Sequence, residues 1–241
     1  MRFKKFLKYL LFLCLIISVG FLYSFSTTRN QQKKIQEIDI KIQEGTSDFL
    51  NQSMVNKLLI QNNETVKNLA KSSLNLYGLE RYISKNPYIE KVSVFLTIHG
   101  ELKTVVKQRT AIARIVDKDS SYYVDKQGIK IPLSDHFSAR VMLVSGAEKE
   151  YEIKELMPLI RIILEDNFLQ KEIVGIEKLE DGEVQFAIRS GDYKIDFGNL
   201  TEIDTKFKKL KAFYNNTFRD KTIQNYKIIN VKYHNQVVCT K

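Results

Sequence analysis

The chain has 241 residues, of which 44% are hydrophobic and 27% are charged. This balance is typical of a folded protein and excludes an intrinsically disordered one. The formal net charge is +10, but it is spread along the sequence instead of forming a basic stripe, which argues against a nucleic-acid-binding protein. Two cysteines provide no disulfide framework, so stability must come from buried apolar side chains.

The first element in chain order is an uncharged, mostly apolar segment at residues 9–28. Twenty residues of α-helix rise about 30 Å, the thickness of a bilayer's hydrocarbon core. Residues 1–8 before it carry four basic side chains and no acidic one, and basic residues beside a span stay in the cytoplasm. The sequence therefore predicts a membrane-spanning helix behind a short cytoplasmic tip, with the rest of the chain outside.

Residues at the two ends of this segment predict anchoring at the membrane interfaces. Lys8 and Tyr9 stand at its start and Phe25 near its end. The competing interpretation is a cleaved signal peptide and a freely secreted binding module, but the apolar core of a signal peptide usually runs about 7–15 residues. The length of the segment favours a retained anchor, and sequencing the N-terminus of the mature protein would separate the two.

A small first domain is predicted for residues 36–109, after a polar spacer at residues 29–35. Isoleucine alternates with polar residues from 38 to 42, which is the period of a strand with one buried face. Two helices with apolar stripes are predicted next, the first capped by Ser53 and the second by Asn75.

A hairpin completes this domain. Apolar and polar residues alternate from Val92 to Ile98, and His99-Gly100 offers a two-residue turn because glycine accepts positive φ freely. The order is then strand, helix, helix, strand, strand. We expect the two helices to pack on one face of a three-stranded sheet.

Residues 110–241 predict a mostly β domain with flanking helices, so the fold class is α+β. Strands flank a turn at residues 125–128, where Asp and Gly stand at suitable places, and two more strands flank residues 190–192. The chain is expected to close on a strand at residues 226–233 and a shorter apolar one at residues 236–240.

Two amphipathic helices are predicted within this second domain. The first has its apolar stripe at residues 153–164 with Pro158 inside it, so the helix either starts there or kinks. The second runs from Ile203 to Tyr214, with Thr201 as its cap.

The sequence carries no pattern that predicts a catalytic or metal site. Its three histidines are far apart, and the motifs of a phosphate-binding loop or a nucleophile elbow are missing. We therefore expect no enzyme, no metal, no cofactor, no nucleic acid and no small-molecule substrate.

Several segments, taken in order, resemble the FtsQ/DivIB family of bacterial division proteins, including the POTRA domain of that family. They are Asn86-Pro87-Tyr88 before the hairpin, residues 106–115 after it, the turn at residues 122–128, Phe197-Gly198 followed by Phe207 and Leu210, and the closing run at residues 229–233. The chain departs from the family pattern at Ala111, where proline is frequent, and at Asn230 and Lys232 in the closing strand.

The resemblance implies a non-enzymatic, single-pass protein of the bacterial inner (cytoplasmic) membrane that acts in septum formation. Its POTRA domain would lie next to the membrane and help to recruit the protein to the division site. Its β domain would bind two small coiled-coil division proteins, an FtsB-like and an FtsL-like partner, at the edge of the C-terminal sheet.

Exposed edge strands accept an incoming strand readily, which agrees with this expected binding mode. The sequence stops soon after the last predicted strand, so we expect that edge to stay uncovered. The predicted partner contacts are Val231, Tyr233, Asn235, Val238 and Thr240. In the competing interpretation, the valines at 237 and 238 only complete the core.

Two other classes of envelope protein stay open at this point. One is a POTRA-containing protein of outer-membrane assembly or secretion, although such proteins carry a large membrane barrel after their POTRA repeats. The other is an anchored enzyme of the cell envelope, which would need converging carboxylates or a nucleophile with its base in a cleft.

Overall fold

The computed structural model describes residues 2–60, 69–117, 120–220 and 222–241. The chain divides into two compact units, Met1–Gln108 and Arg109–Lys241, and each unit has its own cluster of buried apolar side chains. Helices and strands follow one another without regular alternation, which confirms the α+β class. The polar segment at residues 61–71, for which the sequence predicts a loop or a frayed helix extension, lies mostly outside the described residues.

The first helix, α1 (Arg2–Gln32), extends beyond the apolar segment that predicted it. Within the described part of the chain it is the one helix long and apolar enough to cross a membrane, with a mean hydropathy of 2.2 over its most apolar stretch. None of that stretch is buried against the protein. An apolar helix that the protein itself leaves uncovered needs another apolar environment, and the bilayer provides one.

The first unit contains a three-stranded sheet, in the order β1-β3-β2, with β1 parallel and β2 antiparallel to the central strand. The elements are β1 (Glu37–Ile42), α2 (Gln52–Ile60), α3 (Leu76–Ile83), β2 (Ile89–Leu96) and β3 (Glu101–Gln108). The predicted order of strand, helix, helix, strand, strand is confirmed. Val55 and Leu59 of α2 join Leu79 and Ile83 of α3 in the core beneath the strands.

Local details of this unit differ from the sequence-based expectation in two places. Asn51 caps α2, with its Oδ1 accepting a hydrogen bond from the Met54 N–H at 2.9 Å, so the expected cap at Ser53 is wrong. The hairpin connection has four residues, 97–100, instead of two, because the Thr97 N–H donates to the Glu101 carbonyl and the Gly100 N–H to the Thr97 carbonyl. Asn75 caps α3 as predicted, accepting from the Gly78 N–H.

The second unit is built on a nine-stranded mixed sheet, in the order β12-β11-β10-β9-β8-β7-β4-β5-β6. Its strands are β4 (Ala113–Val116), β5 (Ser121–Val124), β6 (Lys130–Pro132), β7 (Met142–Ser145), β8 (Ile173–Lys178), β9 (Val184–Ile188), β10 (Lys194–Gly198), β11 (Ile228–Asn230) and β12 (Val238–Thr240). The closing strand is shorter than the predicted 226–233, because the chain leaves the sheet after Asn230.

Three helices complete this unit: α4 (Glu150–Glu165), α5 (Asn167–Glu172) and α6 (Ile203–Asp220). α4 continues through Pro158, so of the two expected outcomes the start of a helix at that proline is wrong. α6 begins after Glu202, which has a φ of +51°, and the Thr201 hydroxyl donates to Asn199 Oδ1, so Thr201 is not the cap.

The core of the second unit joins one face of the sheet to the helices. The Phe207 ring of α6 lies 5.0 Å from the Phe197 ring and 6.0 Å from the Phe186 ring, measured between centroids. Residues next to these on the strands, such as Lys194 and Asp196, point to the opposite face and are partly or fully exposed. The period of two along each strand thus separates a buried face from an open one.

Candidate partner-binding edge of the C-terminal sheet

β12 forms one edge of the nine-stranded sheet. It pairs antiparallel with β11, with Val238 opposite Asn230, Cys239 opposite Ile229 and Thr240 opposite Ile228. No strand among the described residues pairs with its other side. An edge strand of this kind presents backbone N–H and C=O groups that an added strand can use.

The side chains of β12 alternate between the core and the open face. Cys239 packs partly against the core, next to the fully buried Ile229, and burial raises the pKa of its thiol. Val238 is 42% exposed and Thr240 is exposed, so these two predicted contact residues lie on the open face beside the free edge. Val238 is therefore open to a partner, whereas Val237 packs partly against the core, as the competing interpretation expected for both valines.

The loop between β11 and β12 holds the remaining predicted contacts. Val231 is fully buried, so its side chain belongs to the core, and we remove it from the set of proposed contacts. Tyr233 is 45% exposed and Asn235 has a φ of +57° in an exposed turn. Both therefore stand in the loop beside the edge and not on the strand itself.

A lysine from α6 fixes this loop. Lys209 Nζ donates to the carbonyl of Val231 at 2.8 Å and to the carbonyl of Tyr233. Because the helix is part of the folded core, these two bonds hold the backbone under Tyr233 in a defined position. A preformed loop loses less conformational entropy when a partner binds.

A network of charged and amide groups supports the neighbouring strands. Asn230 Nδ2 donates to Asp196 Oδ2 at 2.8 Å, and Lys232 Nζ lies 3.3 Å from the same oxygen and 2.9 Å from Glu183 Oε2. The hydrogen bond that Lys232 donates to Glu183, helped by Asp196, raises the pKa of Lys232. The network ties β10 to β11 through one lysine shared by two carboxylates.

One exposed apolar residue of this region, Ile228, was not among the predicted contacts. Ile228 lies opposite Thr240 in the register and is 40% exposed on the open face, diagonally across from Val238. The signal was present in the sequence, because Ile228 and Ile229 are adjacent in a strand and must point to opposite faces. Ile228 and Val238 together give the open face an apolar strip at the edge.

The opposite edge of the sheet differs in chemistry. β6 reads Lys130-Ile131-Pro132, and proline has no N–H to offer an incoming strand. Lysine on an edge also discourages strand addition. β12 contains neither residue, so the two edges are not equivalent as sites for a partner.

Among the described residues, no group of three or more histidine, cysteine, aspartate or glutamate side chains is arranged to hold a metal ion. A polar cluster joins the hydroxyls of the buried Tyr193 and Tyr214, 2.7 Å apart, to Glu172 and Ser190. Burial raises the pKa of Tyr214, so this hydroxyl stays protonated and acts as a hydrogen-bonding group within the core.

Comparison with known proteins identifies the family of the chain. Residues 110–240 match the family described as FtsQ/DivIB, C-terminal related. No curated protein sequence matches the chain. Among solved structures, the major extracytoplasmic domain of the trans isomer of the bacterial cell division protein DivIB from Geobacillus stearothermophilus is similar, with 11% identity, 47% of this chain and 97% of that chain covered, and a TM-score of 0.33. Because the family match spans more than half of its length, this chain belongs to the FtsQ/DivIB family of bacterial cell division proteins.

Proposed function

We propose that the chain is a non-enzymatic, membrane-anchored scaffold of the division machinery, and that β12 binds small coiled-coil division proteins of the FtsB and FtsL type. The observation that carries this proposal is the free edge of β12 within the unit that matches the family. A partner segment that adds as a tenth strand would gain backbone hydrogen bonds without a deep pocket.

The proposed contact set combines this edge with the side chains around it. It contains Tyr233, Asn235, Val238 and Thr240, to which the open face adds Ile228. Exposed tyrosine and aliphatic side chains next to a preformed backbone edge suit a binding hot spot, since tyrosine contributes a large apolar area and one hydroxyl.

The membrane arrangement is part of the same proposal. α1 would span the inner membrane, with Lys8 and Tyr9 at the cytoplasmic interface and Phe25 at the outer one. The segments would be residues 1–8 as cytoplasmic tip, 9–28 as span, 29–35 as spacer, 36–109 as POTRA domain and 110–241 as β domain. The POTRA domain would help to bring the protein to the division site.

The test measures capture of a purified FtsB–FtsL pair from the same organism by the full-length chain in detergent. Tyr233→Ala and Val238→Lys should each weaken binding by about tenfold or more, since truncating a hot-spot residue costs about 2 kcal/mol. Both side chains are more than 40% exposed, so the variants should keep the fold.

Ile129→Ala is the matched control, because Ile129 is an equally exposed apolar residue close to the opposite edge, 44% exposed. It should leave the dissociation constant unchanged. Equal binding by all three variants would place the contact elsewhere on the protein. Absence of binding by the unaltered chain would remove the scaffold proposal itself.

A further inference from the structure

We propose that the tip of the β2–β3 hairpin, residues 97–100, rests in the headgroup layer of the membrane and binds phospholipid there. This inference depends on the proposed insertion of α1 in the bilayer, and it concerns a second contact of the first unit with the same membrane. The first unit would then be attached to the membrane at two points, α1 and the hairpin tip.

A lysine ties the hairpin tip to the end of the membrane helix. Lys71 Nζ donates to the carbonyls of Thr97 at 2.8 Å and Ile98 at 3.0 Å, and to Asn30 Oδ1 at 3.3 Å. The Lys71 N–H donates to the carbonyl of Lys33 at 3.0 Å. The tip and the last turn of α1 are therefore held side by side.

The backbone around the spacer strengthens this attachment. The Gln36 N–H donates to the carbonyl of Gly100 at 3.0 Å. A Cβ at Gly100, which has a φ of +97°, would lie 2.9 Å from the carbonyl oxygen of Lys34. Glycine is required here by both its conformation and the close approach of the spacer. These contacts leave the hairpin little freedom to swing away from the helix.

The level of the hairpin along α1 corresponds to the membrane surface. Ile98 and His99 share a groove with the helix between Tyr23 and Lys33. Arg29 is the first charged residue after the span, and α1 ends at Gln32, a rise of only about 5 Å, comparable to the headgroup layer on one side of a bilayer. The hairpin tip thus lies where hydrocarbon gives way to headgroups.

The side chains at the tip suit that environment. Ile98 is 74% exposed at a turn position where polar residues are usual, and a large apolar side chain there has no role within the fold. Arg29 in the last turn of α1, Lys33 just after the helix and His99 at the tip surround it with groups that can bind phosphate oxygens. The nearby Glu101 shares Lys103 with Asp39, and the lysine lies 3.7 Å from each carboxylate. An apolar tip within a basic rim fits an anionic lipid surface.

The test places an environment-sensitive fluorophore on single cysteines of the full-length chain in vesicles of phosphatidylethanolamine and phosphatidylglycerol. The labelled positions are Ile98→Cys, the matched control Lys85→Cys, and the native Cys14 within the span, with the other native cysteines replaced by serine. Lys85 is exposed at the far end of β2, whose eight residues extend about 27 Å. Lipids carrying a nitroxide near the headgroup serve as the quencher.

We expect the lipid-borne nitroxide to quench the labels at 98 and 14 and to leave the label at 85 bright. Quenching at 14 without quenching at 98 would overturn the hairpin contact and leave the membrane anchor in place. Quenching at neither position would overturn the anchor and the hairpin contact together. Equal quenching at 98 and 85 would show that the whole unit lies on the membrane and that the tip has no special role.

Discussion

Asp166 shows how much a single carboxylate contributes to the second unit. Its Oδ1 accepts hydrogen bonds from the N–H groups of Phe168 and Leu169, both at 3.0 Å, and its other oxygen pairs with Lys211 of α6. The residue therefore caps α5 and ties that helix to α6.

We predict that Asp166→Ala lowers the free energy of unfolding by about 1 kcal/mol at neutral pH, the usual cost of losing a helix cap. The Lys211 hydrogen bond, together with the capped N–H groups, holds the pKa of Asp166 below its usual range. A lowered pKa in the folded state gives stability that is present above the unfolded pKa of about 3.9 and is lost as the pH falls through the folded value.

The difference between Asp166→Ala and the unaltered chain should therefore shrink on acidification. Denaturant unfolding of the full-length chain in detergent, at about pH 7 and about pH 3, measures it. A difference that stays constant with pH would mean that the charge of Asp166 contributes nothing to stability.

A turn could be predicted from the sequence where one side chain accepts hydrogen bonds from the N–H groups of that turn. Asp125 was expected to open a turn that closes at Gly128, and its Oδ1 accepts from the N–H groups of Gln127 and Ile129, both at 2.9 Å. The partner of its second oxygen, Arg109 at 2.7 Å, was not predictable. Sequence patterns report hydrogen bonds within a turn, whereas a pair across 16 positions depends on the fold.

At the scale of elements, the N-terminal cap of α2 can be tested, since the structure assigns it to Asn51 and the sequence had predicted Ser53. We predict that Asn51→Ala speeds hydrogen exchange across α2, by a factor of about five for a loss of about 1 kcal/mol, because the Met54 N–H loses its acceptor. Ser53→Ala is the matched control, since Ser53 lies inside the helix, and it should leave exchange unchanged. Faster exchange in Ser53→Ala alone would restore the cap expected from the sequence.

Elements with a clear period were predictable, and the others were not. β1, α3 and the paired strands β9 and β10 follow periods of two or 3.6 and stand where expected. α5 has only six residues, too few to show a helical stripe. β8 begins Ile-Val-Gly-Ile and lies in the middle of the sheet, so it shows no simple alternation of apolar and polar residues.

Alternation along the closing strands also determined how much of the candidate site could be predicted. Thr240 and Val238 follow the alternation of an edge strand and lie on its open face. Val231 was predicted as a contact, but the alternation that buries Ile229 and turns Asn230 outward places Val231 on the core face, where it is fully buried. β11 stops opposite Asp196 although its neighbour β10 continues to Gly198, and no local pattern encodes that end.

At the scale of the whole molecule, the two units have separate cores. We predict that residues 109–241, produced alone, fold and unfold in one cooperative transition. This fragment begins at Arg109 because the guanidinium of Arg109 pairs with Asp125, which is only 2% exposed. Removing one partner of a buried ion pair lowers the free energy of unfolding by about 3–5 kcal/mol, because the other charge is left buried and unpaired.

Thermal or denaturant unfolding followed by circular dichroism would measure this transition. A second fragment that begins at residue 110 is the comparison, and it should be less stable. A broad, non-cooperative transition in both fragments would show that the second unit needs the first in order to fold.

The two edges of the nine-stranded sheet differ in how readily they would pair with the edge of another copy of this protein. β6 is guarded by Lys130 and Pro132, whereas β12 carries no such protection. Two copies whose β12 edges meet could pair with each other and bury the apolar strip formed by Ile228 and Val238. If a partner covers this edge as proposed, copies made in excess of that partner would tend to associate with one another, so the supply of partner would set the concentration at which copies of the protein stay unassociated and ready for assembly.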